Sequence, residues 1–599
     1  MIVLFANKKY SNLFWLAIIA IFTIGIYFQS LNNQFLSDWD DGIYITNNVD
    51  LQSSKGITVK EAFTSFSNGH YHPLTTLSYR AEYNLFGLSA KAFHTTNLLL
   101  HIINSFLVFV FVWLLSKQQL TAFVTARLFA IHPMHVETVA WISDRKDLLC
   151  TLFFLGALCT YFIYKRDNKS KWYIITFLFF LFALFSKAMA VTLPIVFLAV
   201  DYFLSGKFSK KMILEKVPFL ILSVIFGYIS ILSQKSANAL ADVADINFVD
   251  RILFSSYSIV MYIFKLFSFS DLSAFYNYPL SDNGKYPLVF YIAPFLILIL
   301  AVLLYKIKWQ QKVIRFGFLF FLITLALVLQ IVPAGNVIMA DRYTYLPYVG
   351  LMFIMGHLFN YSLIESKLKI SKWISVAGVI LFVLTSSYYS KARTKVWHDS
   401  LTFWNDAIQK SPDAALPYSN RAAIFIKNEK FENAITDLNK AIAIRPNYVS
   451  ARFNRGLLLN KTEKYKEAIS DFNFVLQNNP RDLVSVYMER GIANINCKNF
   501  KEAYEDFTVA LKYDPTILMA NYYRGLALYS SGMFSEAITE LGYLLRRDPQ
   551  NCKAYYVRAL SFYGMKNFEE ASMDITSAQK LGCQIDPNFA NELNSKLKR

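Results

Sequence analysis

Cysteine is scarce. The 599-residue chain has five, Cys150, Cys159, Cys497, Cys552 and Cys583, with neither the paired spacing of a metal site nor a disulfide-rich framework, and they leave the compartment open. Charge is also sparse, at 17% of residues, while 55% are hydrophobic and 17% aromatic. That is too apolar for a soluble enzyme, and the chain is too long for one domain. No Gly-rich phosphate loop, Ser-x-x-Lys or Gly-x-Ser-x-Gly element stands out, so a soluble nucleotide cofactor has no visible site. No small-x-small cleavage site closely follows the first apolar run, roughly Leu13 to Phe28, which therefore reads as an uncleaved span. Beyond about Ser390 no membrane-length run occurs.

Before that point, apolar runs of roughly 16–20 residues recur, near the length that crosses a bilayer. After the first they fall near 96–115, 119–133, 148–164, 172–186, 188–204, 216–233, 287–305, 314–332, 345–361 and 372–390, with an ambiguous one at 251–268. The formal charge of +18 would suit nucleic acid, but much of it sits in short clusters between these runs. Those clusters lie at Lys117, Lys165–Lys171, Lys207–Lys216, Lys306–Arg315 and Lys367–Lys372, the pattern of cytoplasmic loops. No nucleic-acid partner is expected. With Lys8 and Lys9 holding the N-terminus in the cytoplasm, about eleven spans result and 251–268 lies re-entrant or interfacial on the outer side. An odd count sends everything after Ser390 outside, together with the first loop, residues 30–94.

After Lys391 the pattern is a repeat. Pro412, Pro446, Pro480, Pro515 and Pro549 are spaced by 34, 34, 35 and 34 residues. In step with them come Arg421-Ala422, Arg455-Gly456, Arg490-Gly491, Arg524-Gly525 and Arg558-Ala559. Aromatic–Ala pairs follow at Phe431/Ala434, Tyr465/Ala468, Phe500/Ala503, Phe534/Ala537 and Phe568/Ala571. This is the tetratricopeptide (TPR) period: small residues let two helices approach and Pro closes each repeat. A recurrent acid (Asp437, Asp471, Asp506, Glu540, Asp574) is expected to pair with the Arg rather than form a ligand-binding row. The expected organisation is a membrane domain over 1–390, a linker and capping helix over 391–411 with Trp397, Leu401, Trp404 and Ile408 on one face, five repeats over 412–583, and a cap over 584–599.

Chemistry-bearing residues gather in the outer connectors. Ser37-Asp38-Trp39-Asp40-Asp41 crowds three carboxylates just past the first span, where like charges resist joint ionisation. It is the candidate reaction centre, weighed against a solvated acidic turn. Later in that loop, Ile57–Phe66 alternates as a short amphipathic helix and Tyr71–Thr75 reads as a turn containing His72. His132-x-x-His135-x-Glu137 has metal-compatible spacing but not the His-Glu-x-x-His of zinc proteases. Asp144, Arg145 and Asp147 are expected to pair with one another. Lys187 interrupts an apolar stretch, and Arg342 in Asp341-Arg342-Tyr343 suits a phosphate, against a structural contact with Asp341.

The segments "HPLTTLSYRAEYNLFGLSAKAFHTTNLLLH", "HPMHVETVAWISDRKDLL", "LFSKAMAVTLP" and "DRYTYLP", the early acid pair and the repeats together resemble the TMTC proteins and their bacterial relatives. These are multi-pass transmembrane O-mannosyltransferases with TPR tails, in the GT-C superfamily. The resemblance implies an all-α fold: a GT-C-type transmembrane helix bundle followed by a TPR solenoid. It implies a glycosyltransferase moving a sugar, with mannose the expected one, from a polyprenyl-phosphate donor to an acceptor hydroxyl on the outer side, and by direct attack an inverting one. Asp40 and Asp41 match the catalytic acids, with Asp40 the general base and Asp41 orienting it. Arg342 and Lys187 are the donor-phosphate ligands, and Asp38, His72, His135, Glu137 and Arg145 support them. No cofactor is required, although Asp40, Asp41, His135 and Glu137 form the set a divalent metal would use. His72 stands where many relatives carry Arg and Ala188 where an acid is common, which leaves donor and acceptor open. The expected partners are the donor lipid, membrane lipids and a protein acceptor on the TPRs; the alternatives are a lipid or polysaccharide acceptor, or a non-catalytic TPR scaffold. Rich in Phe, Ile, Lys and Asn, the chain leans bacterial, which places it in the inner membrane with site and tail periplasmic; in a eukaryote the counterpart is the lumenal side of the endoplasmic reticulum.

Overall fold

A computed structural model describes residues 8–53, 55–236, 246–279, 285–308, 310–331, 337–364, 369–478, 480 and 482–597. Lys367 of the expected cytoplasmic connector and the last two residues of the expected cap lie outside these. The chain divides into Met1–Pro412 and Asp413–Arg599. Both units are helical, and among the described residues the strands are one antiparallel pair, Tyr276–Asn277 with Val337–Met339.

Among the described residues of the first unit, eight helices are long and apolar enough to cross a membrane: Asn12–Asn32, Ala90–Ser116, Ile142–Asp167, Ala188–Ser205, Val217–Ser236, Leu288–Lys306, Gln311–Val328 and Ile370–Val396. Three shorter apolar helices, Gln119–Ile131, Ser170–Ser186 and Tyr348–Ile364, occupy the remaining apolar runs. The ambiguous run forms a helix, Phe248–Lys265, that is not among these candidates. One stripe of it is polar: Ser255, Ser258 and Tyr262 donate to the carbonyls of Leu329, Ile338 and Ala340. A helix that must satisfy non-helical backbone along one face suits a protein flank, because bare carbonyls in lipid are costly. The expected turn at Tyr71–Thr75 is instead a helix start. Pro73 opens Pro73–Phe86, where its missing N–H costs nothing.

Charged groups collect at two ends of this bundle. At one end Lys216 pairs with buried Asp201, and Lys165 with Glu215 at 3.1 Å. The helix Arg145–Asp167 leads from there to the other end, about 34 Å at 1.5 Å per residue. The connectors carrying Asp38–Asp41, Glu137, Lys187, Asp341–Arg342 and Ser400–Ser411 meet at that second end. The helix Ser400–Lys410, capped by Asp399 accepting the Thr402 N–H, belongs to the first unit. It buries Trp404 and half-buries Leu401 and Ile408, while Trp397 is buried just ahead of it.

The second unit is five helical hairpins, Ala415–Lys427/Phe431–Ile444 through Cys552–Gly564/Phe568–Lys580, closed by Pro587–Leu597. The small residue after each repeated Arg is a packing requirement. A Cβ at Gly456 or Gly491 would lie 2.7 Å from the ring of Phe472 or Phe507. Each repeated Arg meets its acid: Arg421–Asp437, Arg455–Asp471, Arg524–Glu540 and Arg558–Asp574 at 2.7 Å, and Arg490–Asp506 at 2.5 Å. The row is structural. Replacing Arg490 by Met strands the buried Asp506 carboxylate and should cost about 1–3 kcal/mol. Adding Asp506→Leu should recover most of that loss in urea-gradient proteolysis of the full-length protein, and equal losses in both variants would show the pair to be inert.

Candidate functional site

The three acids of Ser37–Asp41 have three different fates. Asp38 accepts hydrogen bonds from the Ser400 hydroxyl and the Trp404 indole N–H, tying the loop to Ser400–Lys410. Asp41 is buried and accepts from the Leu36 N–H at 2.9 Å, the Ser143 N–H at 3.0 Å and the Ser143 hydroxyl. Burial pushes its carboxyl up to about 6 against the pull of those bonds. Asp40 alone is left half-buried with no hydrogen bond from the described residues, within Coulombic range of Lys146. The tight turn that divides them depends on Gly42, where a Cβ would stand 2.1 Å from the Ser37 carbonyl oxygen.

Between the acids, Trp39 stacks on Trp141 at 4.2 Å and 10°. Trp397, Phe403 and Trp404 surround it. Trp141 forms the wall on which the cations gather. The Arg342 guanidinium lies 5.5 Å from its ring and the Lys146 ammonium 5.6 Å. Lys146 is buried, also 5.5 Å from the Tyr44 ring, and makes no ion pair among the described residues. Arg342 donates from Nη1 to Glu137 at 2.5 Å and from its backbone N–H to the other oxygen at 3.1 Å, so Glu137 fixes both ends of the residue. Arg342 therefore pairs with Glu137 and not with Asp341. Lys187 reaches both oxygens of Asp147 at 2.6 and 2.7 Å. Asp144 is buried in the same group, within range of Asp147, Lys187 and Arg342, without an ion pair among the described residues.

Other residues picked out by sequence are framework. Arg145 does not pair with Asp144 or Asp147 as expected, whereas the two carboxyls interact with each other. Arg145 is buried and saturated instead, by Glu82 at 2.5 Å, Asn97 at 2.8 Å and the Phe93 carbonyl at 3.0 Å. A fully desolvated guanidinium needs this many acceptors. His72 is pushed down to about 3 by burial and the Lys146 charge, and buried His135 is held well below its ordinary value. Both are neutral and supply no charge for a phosphate. The four metal candidates do not converge, since among the described residues no three His, Cys, Asp or Glu side chains could hold an ion. Asp41 is taken by Ser143, Glu137 by Arg342, and His135 Nδ1 lies 2.8 Å from the Phe129 carbonyl. These residues do not fit a metal.

Sequence reasoning passed over Lys146 and Trp141. Both lie inside "VETVAWISDRKDLL", where four charged residues in a row gave no sign of which would pair.

Residues 73–233 match the dolichyl-phosphate-mannose-protein mannosyltransferase family, and 424–463 and 522–572 match tetratricopeptide repeat families. The class is thus a multi-pass membrane protein with a TPR tail, in which residues 73–233 are similar to a mannosyltransferase family. Among curated proteins, the chain is 31% identical over 208 residues to human protein O-mannosyl-transferase TMTC4, covering 30% of this chain and 28% of that protein. It is 25% identical over 414 residues to human TMTC3, covering 62% and 44%, and 28% identical over 195 residues to Tmtc1 of Drosophila melanogaster, covering 31% and 22%. The chain is TMTC-like, and spans less than half the length of each of these three relatives. Of solved structures, the TPR protein YrrB covers 30% of this chain and 92% of its own at 22% identity, with a TM-score of 0.28.

Two outcomes follow from the geometry. Asp41→Ala should release the loop from Ser143 and expose residues 30–94 to limited proteolysis, whereas Asp40→Asn should leave the digestion pattern unchanged; the same pattern for both would contradict the division of roles. Asp341, held by the Tyr276 hydroxyl at 2.7 Å, is pushed up to about 7 by burial and the Glu137 charge. A carboxyl raised in the folded state stabilises fully below its unfolded value and loses that contribution as pH rises through about 7. Asp341→Asn should therefore melt higher relative to the parent at pH 8 than at pH 5, and a constant offset across that range would refute the assignment.

Proposed function

We propose that this protein transfers mannose from a polyprenyl-phosphate donor to a Ser or Thr hydroxyl of a protein, on the non-cytoplasmic side of the membrane. The observation that carries the reading is the combination of an unbonded carboxylate, Asp40, with an unpaired buried ammonium, Lys146, against the same tryptophan wall as Arg342. A hydroxyl is a poor nucleophile until a base accepts its proton. Asp40 takes that proton as the acceptor oxygen bonds to the anomeric carbon and the carbon–oxygen bond to phosphate breaks. Polyprenyl phosphate leaves with the electron pair. Lys146 and Arg342 stabilise the charge growing on it, Lys146 from a buried position. Displacement in one step inverts the anomeric centre. Asp41 positions the base through its bonds to Ser143 and Leu36, and Lys187, neutralised by Asp147, supports the phosphate side.

Charge supports this side of the membrane. Lys165 and Lys216 cluster at the C-terminal end of the helix Arg145–Asp167, and the positive-inside rule favours that end for the cytoplasm. The TPR tail, leaving the first unit after Pro412, engages the acceptor or a partner along its concave face.

Full-length protein in liposomes, given polyprenyl-phosphate mannose and Ser/Thr peptides, tests this. Asp40→Asn should lower the transfer rate about 10²–10⁴-fold. Lys146→Met should lower it comparably, mainly through kcat. Unchanged transfer in Asp40→Asn would sink the mechanism. Transfer to lipid but not to peptide would redirect the acceptor to a lipid or polysaccharide.

A further inference from the structure

The last repeat breaks the repeat rule at two positions at once. In the first four repeats the opening residue of the first helix is apolar, Ala415, Val449, Leu483 and Leu518, and the closing residue is proline, Pro446, Pro480, Pro515 and Pro549. In the fifth repeat these two positions are Cys552 and Cys583, 31 residues apart and bonded to each other, with Cα atoms at 5.7 Å. Two of the five cysteines in 599 residues thus occupy the one pair of repeat positions that meets at the open end of a hairpin. The helix Pro587–Leu597 lies beyond this hairpin and buries Leu593.

Local backbone geometry delivers Cys583 to its partner. The helix Phe568–Lys580 ends with Gly582 at φ +85°, its N–H donating to the Gln579 carbonyl at 2.9 Å, while the Cys583 N–H donates to the Ala578 carbonyl at 3.0 Å. This helix-terminating turn folds the next residue back over the last turn of the helix. Both cysteines are half-buried, within reach of an exchange partner. The remaining three are placed differently: Cys150 and Cys159 are buried in the membrane unit and Cys497 lies in the third repeat.

We propose that Cys552–Cys583 is a structural disulfide that staples the open end of the fifth hairpin, and that the tail therefore resides in an oxidising compartment. A cross-link at that end limits its fraying. Such bonds persist outside the reducing cytosol. Formation is a thiol–disulfide exchange. One thiolate attacks the disulfide of an oxidising dithiol protein, the second thiolate resolves the mixed disulfide, and the two protons and two electrons lost by the cysteines leave with the reduced partner. The bond is independent of the transferase reading, since neither cysteine lies in the membrane unit.

The test uses the full-length protein in the cells that make it. Cells are quenched in acid, free thiols are blocked with N-ethylmaleimide in denaturant, and the protein is digested without reductant for mass spectrometry. The expected result is a linked peptide pair carrying Cys552 and Cys583, with Cys497 alkylated. Cys552→Ser/Cys583→Ser should lower the melting temperature of the tail by about 5–10 °C. Direct alkylation of Cys552 and Cys583 in the parent, or a link from either to Cys497, would overturn the proposal. If the double variant does not accumulate, the parent spectrum alone decides. Mannose transfer measured on the same preparation separates failure of this proposal from failure of the transferase assignment.

Discussion

The site depends on one carboxylate that does no chemistry in the mechanism. Asp41 gathers the Leu36 N–H, the Ser143 N–H and the Ser143 hydroxyl, joining the first loop to the start of the helix Arg145–Asp167. Everything near it follows from that lock. Trp39 is pressed flat on Trp141 two residues before Ser143, and Asp38 is turned toward Ser400 and Trp404. Asp40, next to the lock, is held in place by its neighbours and keeps its own carboxylate unbonded. A second joint backs the first: Arg145, saturated by Glu82, Asn97 and Phe93, fixes the same helix start from the opposite side. Two buried clamps, two residues apart at Ser143 and Arg145, make the loop behave as part of the bundle rather than as a surface excursion.

The coarse architecture was legible in the sequence because it is written in periods. Membrane-length apolar runs and alternating basic connectors mark the spans, and a 34-residue recurrence marks the repeats, each without knowledge of a single contact. The fate of individual charges was not legible. Asp144, Arg145, Lys146 and Asp147 are consecutive at a helix start, so they point in four directions about 100° apart. Only the partners brought in by distant segments, Glu82 for Arg145 and Lys187 for Asp147, show that Lys146 is the cation of the four without an ion pair among the described residues. The helix beginning at Pro73 was missed for a related reason, since Tyr-His-Pro reads as a turn until the residues after it are seen to continue as a helix. The cysteine pair escaped because 31 residues separate it in sequence. Its meaning appears only when the fifth repeat is laid on the other four.

Charge is handled differently in the two units. Along the tail every repeated Arg meets its acid within the same hairpin, so neither is available for anything else. Around Trp141 most charges are paired as well, Arg342 with Glu137 and Lys187 with Asp147. Pairing is what makes burial affordable, because a desolvated lone ion is far costlier than a paired one. The exceptions therefore carry information.

Asp40 and Lys146 are, with Asp144, the exceptions among the described residues, and the opposite signs of Asp40 and Lys146 matter. In the proposed mechanism the donor would bring a phosphate anion toward the Asp40 carboxylate, and like charges brought together repel. Lys146, within Coulombic range of Asp40 and on the same wall as Arg342, offsets that repulsion. As the glycosidic bond breaks, negative charge moves toward the leaving phosphate while the base loses its charge to the incoming proton. In the proposed step, a cation within range of both is favourable to the carboxylate at the start and to the leaving group at the end. A partner carboxylate bound tightly to Lys146 would cancel both effects, which is a physical reason for this one buried ammonium to be left unpaired.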